Sequence, residues 1–112
     1  MLYVIIAVFA LAAVLGIILI RSLLMQQKPP RPGVYLHGLL AATGLVLLIV
    51  FAIQNAQSSK YMTSIALFVI AALGGFTLFV RDLKGKLGPV WLAVIHALVA
   101  VGGFVILLFQ VI

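Results

Sequence analysis

Residues 37–44 read HGLLAATG, and fifty-nine positions later residues 96–103 read HALVAVGG. The two octets hold both histidines of the chain, and in each the His is followed by Ala at i+4 and Gly at i+7. At helical spacing those three positions share one face. His37, Ala41 and Gly44 therefore form one stripe, and His96, Ala100 and Gly103 form its copy. Both octets sit inside long apolar runs, and the reading of those runs decides the fold.

The chain has 112 residues, 67% hydrophobic and 7% charged. A soluble domain carries about 25% charged residues, so this composition cannot cover a water-facing surface. The expectation is one integral membrane domain spanning 1–112. There is no cysteine, which excludes disulfides, thiolate metal sites and iron–sulfur clusters. The net charge of +6 does not point to nucleic acid, because the basic residues fall in short loops and form no basic face.

Four apolar runs are separated by three short polar segments. Residues 1–24 form the first run and lack the basic lead and cleavage pattern of a signal peptide, so they read as a spanning helix. Residues 26–33, QQKPPRPG, carry three prolines and a glycine and read as a loop. Residues 34–53 form the second run, 54–60 (QNAQSSK) a polar connection, and 61–80 the third run. Residues 81–88, RDLKGKLG, read as a basic loop, and 89–111 as the fourth run with Pro89 in its first turn. Each run is close to the roughly 20 residues that cross a bilayer core. At that length helices are the spanning form, since backbone groups must pair internally.

Lys and Arg set the orientation. Arg21, Lys28, Arg31, Arg81, Lys84 and Lys86 flank loops one and three, and Lys60 alone lies on the other side. That asymmetry predicts cytoplasmic loops one and three and both termini outside, with a bacterial inner membrane as the expected home. Tyr35 and Trp91 are expected as interface aromatics on the cytoplasmic side, and Tyr3 and Tyr61 on the outer side.

The repeat extends beyond the octets. IAVFALAAVLG (6–16) matches IALFVIAALGG (65–75) at the same offset, including Phe9 with Phe68 and Gly16 with Gly75, and Pro30 matches Pro89. This predicts a tandem repeat of two-helix hairpins, 1–57 and 60–112. Each unit has an even number of spans, so the copies share one topology about an axis along the membrane normal. The predicted fold is an all-α bundle of four transmembrane helices with a pseudo-twofold axis. Helices two and four then run parallel, with His37 and His96 at equal depth, roughly a third of the way in at about 1.5 Å per residue.

An ionisable residue inside a membrane helix marks function by default. The plain alternative is a neutral His that hydrogen-bonds a carbonyl or Thr on a neighbouring helix and only holds helices together. Two histidines related by the repeat axis approach it from opposite sides, which is the arrangement two axial ligands of one iron need. Ala12 with Gly16, and Ala71 with Gly75, are small-xxx-small pairs that let helices approach closely. Gly44 and Gly103 lie about 10 Å along the helix from the histidines, which suits either close packing or room for a flat cofactor. Arg21, Arg31 and Arg81 stand on the histidine side as possible partners for propionates. Thr43 and Thr77 are expected to bond back to their own helices.

A His in an apolar helix followed by small residues and glycine, as in 34–46 and 93–105, resembles the haem-ligating helices of cytochrome b561-type proteins. The resemblance implies haem b with His37 and His96 as its axial ligands. It also implies electron exchange with a quinone or a partner subunit.

Two other readings stay open. One is a structural or accessory membrane protein that forms oligomers or stabilises a larger complex. The other is a small transporter or channel. Against a cation antiporter, Asp82 is the one acid and lies at a membrane edge, leaving no carboxylate within the spans. No nucleophile–base set and no hydrolase metal cluster lies in the spans either.

Overall fold

A computed structural model describes residues 1–112 as four helices: α1 (Leu2–Leu24), α2 (Arg31–Gln54), α3 (Ser58–Leu83) and α4 (Val90–Val111). Each is long and apolar enough to cross a membrane. The molecule is 43 Å long and 22 Å wide, which matches a bilayer core of about 30 Å plus its head-group layers. This is an integral membrane four-helix bundle, as the composition predicts.

The helices run further than the apolar runs at three ends. Arg31, Pro32 and Gly33 belong to the first turn of α2 rather than to the loop. Proline is tolerated there because its missing N–H has no intrahelical partner anyway. Ser58–Lys60 start α3, and Arg81–Leu83 end it, so the second connection is only residues 55–57. At the fourth helix the difference is the reverse: Pro89 is the N-cap, and the helix begins at Val90.

Three helices end alike. After α1, Gln27 N–H donates to Ser22 O at 2.9 Å; after α2, Gln57 to Ala52 O at 2.8 Å; after α3, Lys86 to Arg81 O at 3.0 Å. These are Schellman closures, which place the residue after the C-cap in the left-handed region. Gln26 (φ 56°), Ala56 (φ 53°) and Gly85 (φ 76°) occupy those places. Only α3 uses the glycine that suits it.

Packing is closest within the pairs α1–α2 and α3–α4 and thinner between those hairpins, where α2 meets α3 and α1 meets α4. α1 faces α3, and α2 faces α4, across the diagonals. Only 14 of 112 residues are buried, and large apolar side chains such as Leu11, Ile17, Leu73, Leu98 and Phe109 lie exposed on the outside. In water that surface would drive aggregation; in a bilayer it is the lipid contact.

The main core cluster is Ile5, Phe9, Leu48, Ala52, Tyr61, Phe68 and Leu107, in the half of the bundle away from the basic loops. Phe9 and Phe68 stack across the α1–α3 diagonal with ring centroids 4.1 Å apart and planes 7° from parallel. Tyr61 is here a correction to expectation: it is 1% exposed and packs edge-on against Phe51 instead of anchoring at the interface. Its place in the first turn of α3 turns it inward, and Lys60 lies over its ring. Tyr3, Tyr35 and Trp91 are exposed near helix ends, as interface aromatics are.

Candidate functional site

The two histidines come together. His37 on α2 and His96 on α4 face each other across the second diagonal, with ring centroids 6.1 Å apart and planes at 82°. Each ring is also tied to the preceding helix of its own hairpin. Nδ1 of His37 bonds Ala12 O on α1 at 2.7 Å, and Nδ1 of His96 bonds Ala71 O on α3 at 2.6 Å. A carbonyl can only accept, so Nδ1 carries the proton in both rings. A neutral imidazole then has its lone pair on Nε2, and neither Nε2 makes a protein hydrogen bond.

The small-residue pairs explain how the rings reach those carbonyls. Gly16 stands one turn after Ala12, and a Cβ there would lie 3.0 Å from His37 Cε1. Gly75 stands one turn after Ala71, and a Cβ there would lie 2.8 Å from His96 Cε1. Each Ala-xxx-Gly pair is thus a notch for an imidazole, and the lost side chain opens the path to the carbonyl above it. Gly44 and Gly103 serve the other diagonal. A Cβ on Gly44 would meet the Phe9 ring at 3.0 Å, and one on Gly103 would meet Phe68 at 3.3 Å. All four glycines therefore receive rings of this chain, two of histidine and two of phenylalanine. The rings of His37 and His96 fill the space beside Gly16 and Gly75.

The three arginines differ in their surroundings. Arg21 is exposed at the end of α1, where its stem borders an open cleft of about 340 Å³ with Ile17, Ile18 and Met25. Arg31 Nε lies 3.7 Å from Asp82 Oδ2. Arg81 has its Nε buried without any hydrogen-bond partner. The Arg31–Asp82 pair joins the start of α2 to the end of α3, a contact between residues 51 positions apart that no local pattern announces. Thr77 bonds back to Leu73 O at 2.9 Å, as expected. Thr43 makes no such bond and is exposed.

A polar contact at the opposite end also escaped the sequence reading. Ser64 is fully buried, its Oγ 3.4 Å from Gln110 Oε1, and Gln110 Nε2 donates to Lys60 O. Its signal was the pair of lone polar residues near the ends of two apolar runs.

Nowhere does the chain gather three or more His, Cys, Asp or Glu into one metal site. What it does offer is two imidazoles of fixed tautomer, facing across a bundle core, with glycines on the two flanking helices at their level. No protein-family model matches the chain, and no curated protein and no solved structure matches it.

Proposed function

We propose that this protein is a small membrane cytochrome that holds one haem b between His37 and His96 and exchanges electrons with a quinone or a partner subunit. The observation that carries this reading is the histidine pair, each ring donating Nδ1–H to a helix carbonyl. A metal-ligating histidine usually donates its other ring N–H to such a carbonyl, which fixes the tautomer, orients the ring and raises the basicity of Nε2. The two ring centres stand 6.1 Å apart across the bundle core, and His37 and His96 would be the residues that hold the iron. On the flanking helices α1 and α3, Gly16 and Gly75 seat the two imidazoles themselves and hold them at one level.

The seam between the two hairpins is the thinner one, and each imidazole is bonded within its own hairpin. Among the arginines, Arg81 is the best-placed partner for a propionate, because its buried Nε lacks an acceptor. Bound haem supplies one-electron chemistry; the chain holds it, keeps water away with apolar walls and sets its charge environment. We place the basic end at the cytoplasmic face of a bacterial inner membrane, following the Lys and Arg asymmetry. The matching bonds at positions 59 apart support a tandem hairpin duplication as the origin of the site.

The test is the visible spectrum of protein expressed with ample haem. The reading requires a Soret band and a sharp reduced α-band, both lost in His37→Ala and in His96→Ala. Colourless wild-type protein overturns it.

A second reading has its own observation. The same His–carbonyl bonds stitch α1 to α2 and α3 to α4, which suits a structural or accessory protein that acts through its apolar faces in oligomers or larger complexes. Glutamine separates the two, since it can donate to a carbonyl and cannot serve as a haem ligand. Stable, partner-bound His37→Gln and His96→Gln proteins from a colourless parent would establish the accessory role.

A further inference from the structure

The basic end holds a second polar feature that haem ligation does not use. An open cleft of about 160 Å³ between the first and third loops is lined by Lys28, Asp82, Gly85, Lys86 and Leu87. The Schellman closure at Gly85 turns the chain back, so that Asp82 and Lys86 line the same cleft. Lys28 reaches it from the other hairpin. Two ammonium groups and the one carboxylate of the chain therefore share a small space at the ends of the spanning helices, where lipid head groups lie.

The carboxylate is the unusual member. Its side chain is only 12% exposed, and Arg31 Nε at 3.7 Å balances its charge from beyond hydrogen-bond distance. Asp82 Oδ2 is closed off and has no donor, so the part of the side chain that borders the cleft is the rest of the group. A buried carboxylate is ordinarily hydrogen-bonded, so this one lacks an N–H partner. The lysines, by contrast, are strong donors suited to an anion. A ligand that satisfies both carries an anionic phosphate and, a short distance away, a cation with N–H groups to give.

We infer that this cleft binds a phosphoethanolamine head group, with its phosphate on Lys28 and Lys86 and its primary ammonium on Asp82. Leu87 supplies an apolar wall. The chemistry is shared by membrane phosphatidylethanolamine and by free phosphoethanolamine. Phosphatidylglycerol has the phosphate without the ammonium. Phosphatidylcholine has a cation with no hydrogen to donate.

The experiment is native mass spectrometry of the delipidated full chain in detergent. It is titrated with phosphatidylethanolamine, its N-methyl and N,N-dimethyl derivatives, phosphatidylcholine and phosphatidylglycerol, all with the same acyl chains. Affinity is expected to fall stepwise with methylation, by about tenfold in all for loss of a charge-assisted hydrogen bond. Lys28→Gln and Lys86→Gln should weaken every phosphate lipid alike. Asp82→Asn should abolish the difference between ethanolamine and choline lipids, with helix content checked by circular dichroism. If that variant does not fold, the methylation series on the wild-type chain decides alone. Displacement of the lipid by millimolar phosphoethanolamine assigns the site to the head group itself, and lack of displacement assigns it to the intact lipid. Equal binding of ethanolamine and choline lipids, or tighter binding of phosphatidylglycerol, overturns the proposal.

Discussion

The two diagonals of the bundle are built alike and do different things. In the half away from the basic loops, Phe9 and Phe68 stack at 4.1 Å, each ring against a glycine of a neighbouring helix, Gly44 or Gly103. In the basic half, His37 and His96 stand at 6.1 Å, each ring against Gly16 or Gly75. The apolar pair meets face to face and closes the core. The polar pair turns its Nδ1 atoms away, toward carbonyls of its own hairpins, and keeps its Nε2 lone pairs uncommitted. The contrast teaches that one ring-in-glycine device can lock a membrane bundle at one level and leave two imidazole lone pairs unpaired at another. The difference lies in whether the ring has a hydrogen bond to make.

That contrast can be broken most directly at the stack. Phe68→Ala should cost about 3–5 kcal/mol, the usual loss for a buried Phe, read by reversible unfolding in bicelles or mixed micelles. Refolded Phe68→Ala protein should still bind haem at the other level. Loss of the haem spectrum in a folded variant would show that the two levels are one unit.

A smaller effect tests the histidine notches. Gly75→Ala puts a methyl 2.8 Å from His96 Cε1, and Gly16→Ala puts one 3.0 Å from His37 Cε1. Overpacking of this kind costs about 1–3 kcal/mol, with Gly75→Ala the more severe because its contact is tighter. Equal and negligible effects would mean the rings move aside freely, and the notches would lose their meaning.

Removing the hydrogen bond itself should matter less to stability. His96→Ala in haem-free protein should lose about 0.6–2 kcal/mol, the range for interhelical hydrogen bonds in lipid. On the proposed haem reading the same substitution erases haem binding altogether, so stability and spectrum test packing and ligation separately. A stability loss as large as that of Phe68→Ala would make the histidine level a core of equal rank.

The smallest change sharpens the comparison of the two ends. The basic end turns through Gly85, and the opposite end turns through Ala56 at φ 53°. The left-handed conformation costs a non-glycine residue roughly 1–2 kcal/mol, so Ala56→Gly should raise stability by about 1 kcal/mol in the same unfolding assay. A decrease would show that Ala56 contributes packing that outweighs its backbone strain.

Much of this architecture was legible in the residues. Four apolar runs of spanning length gave four helices, because in hydrocarbon a backbone has no other way to satisfy itself. The constant offset of His, Gly and Phe placed matching residues on matching faces, and the structure brings His37 to His96 and Phe9 to Phe68. Helix ends were less legible. Proline and polar letters at 31–33, 58–60 and 81–83 read as loops, yet a first or last helical turn tolerates both. Tyr61 misled for a related reason: near a helix end an aromatic suits the interface or the core equally by composition, and only the direction of its Cβ decides.

By itself the sequence determined the apolar surroundings of this protein, the number of its helices, which end is basic and the matching level of its histidines along α2 and α4. These follow from hydropathy, helix rise and charge, which are properties of one segment at a time. Only the tertiary structure decided that Ala12 and Ala71 supply the carbonyl partners and that Gly16 and Gly75 are notches for imidazoles. It also decided that Arg31 goes to Asp82 while Arg81 keeps a bare Nε. Those are relations between segments, fixed by how helices rotate and settle against each other, and no periodicity along one chain segment contains that rotation.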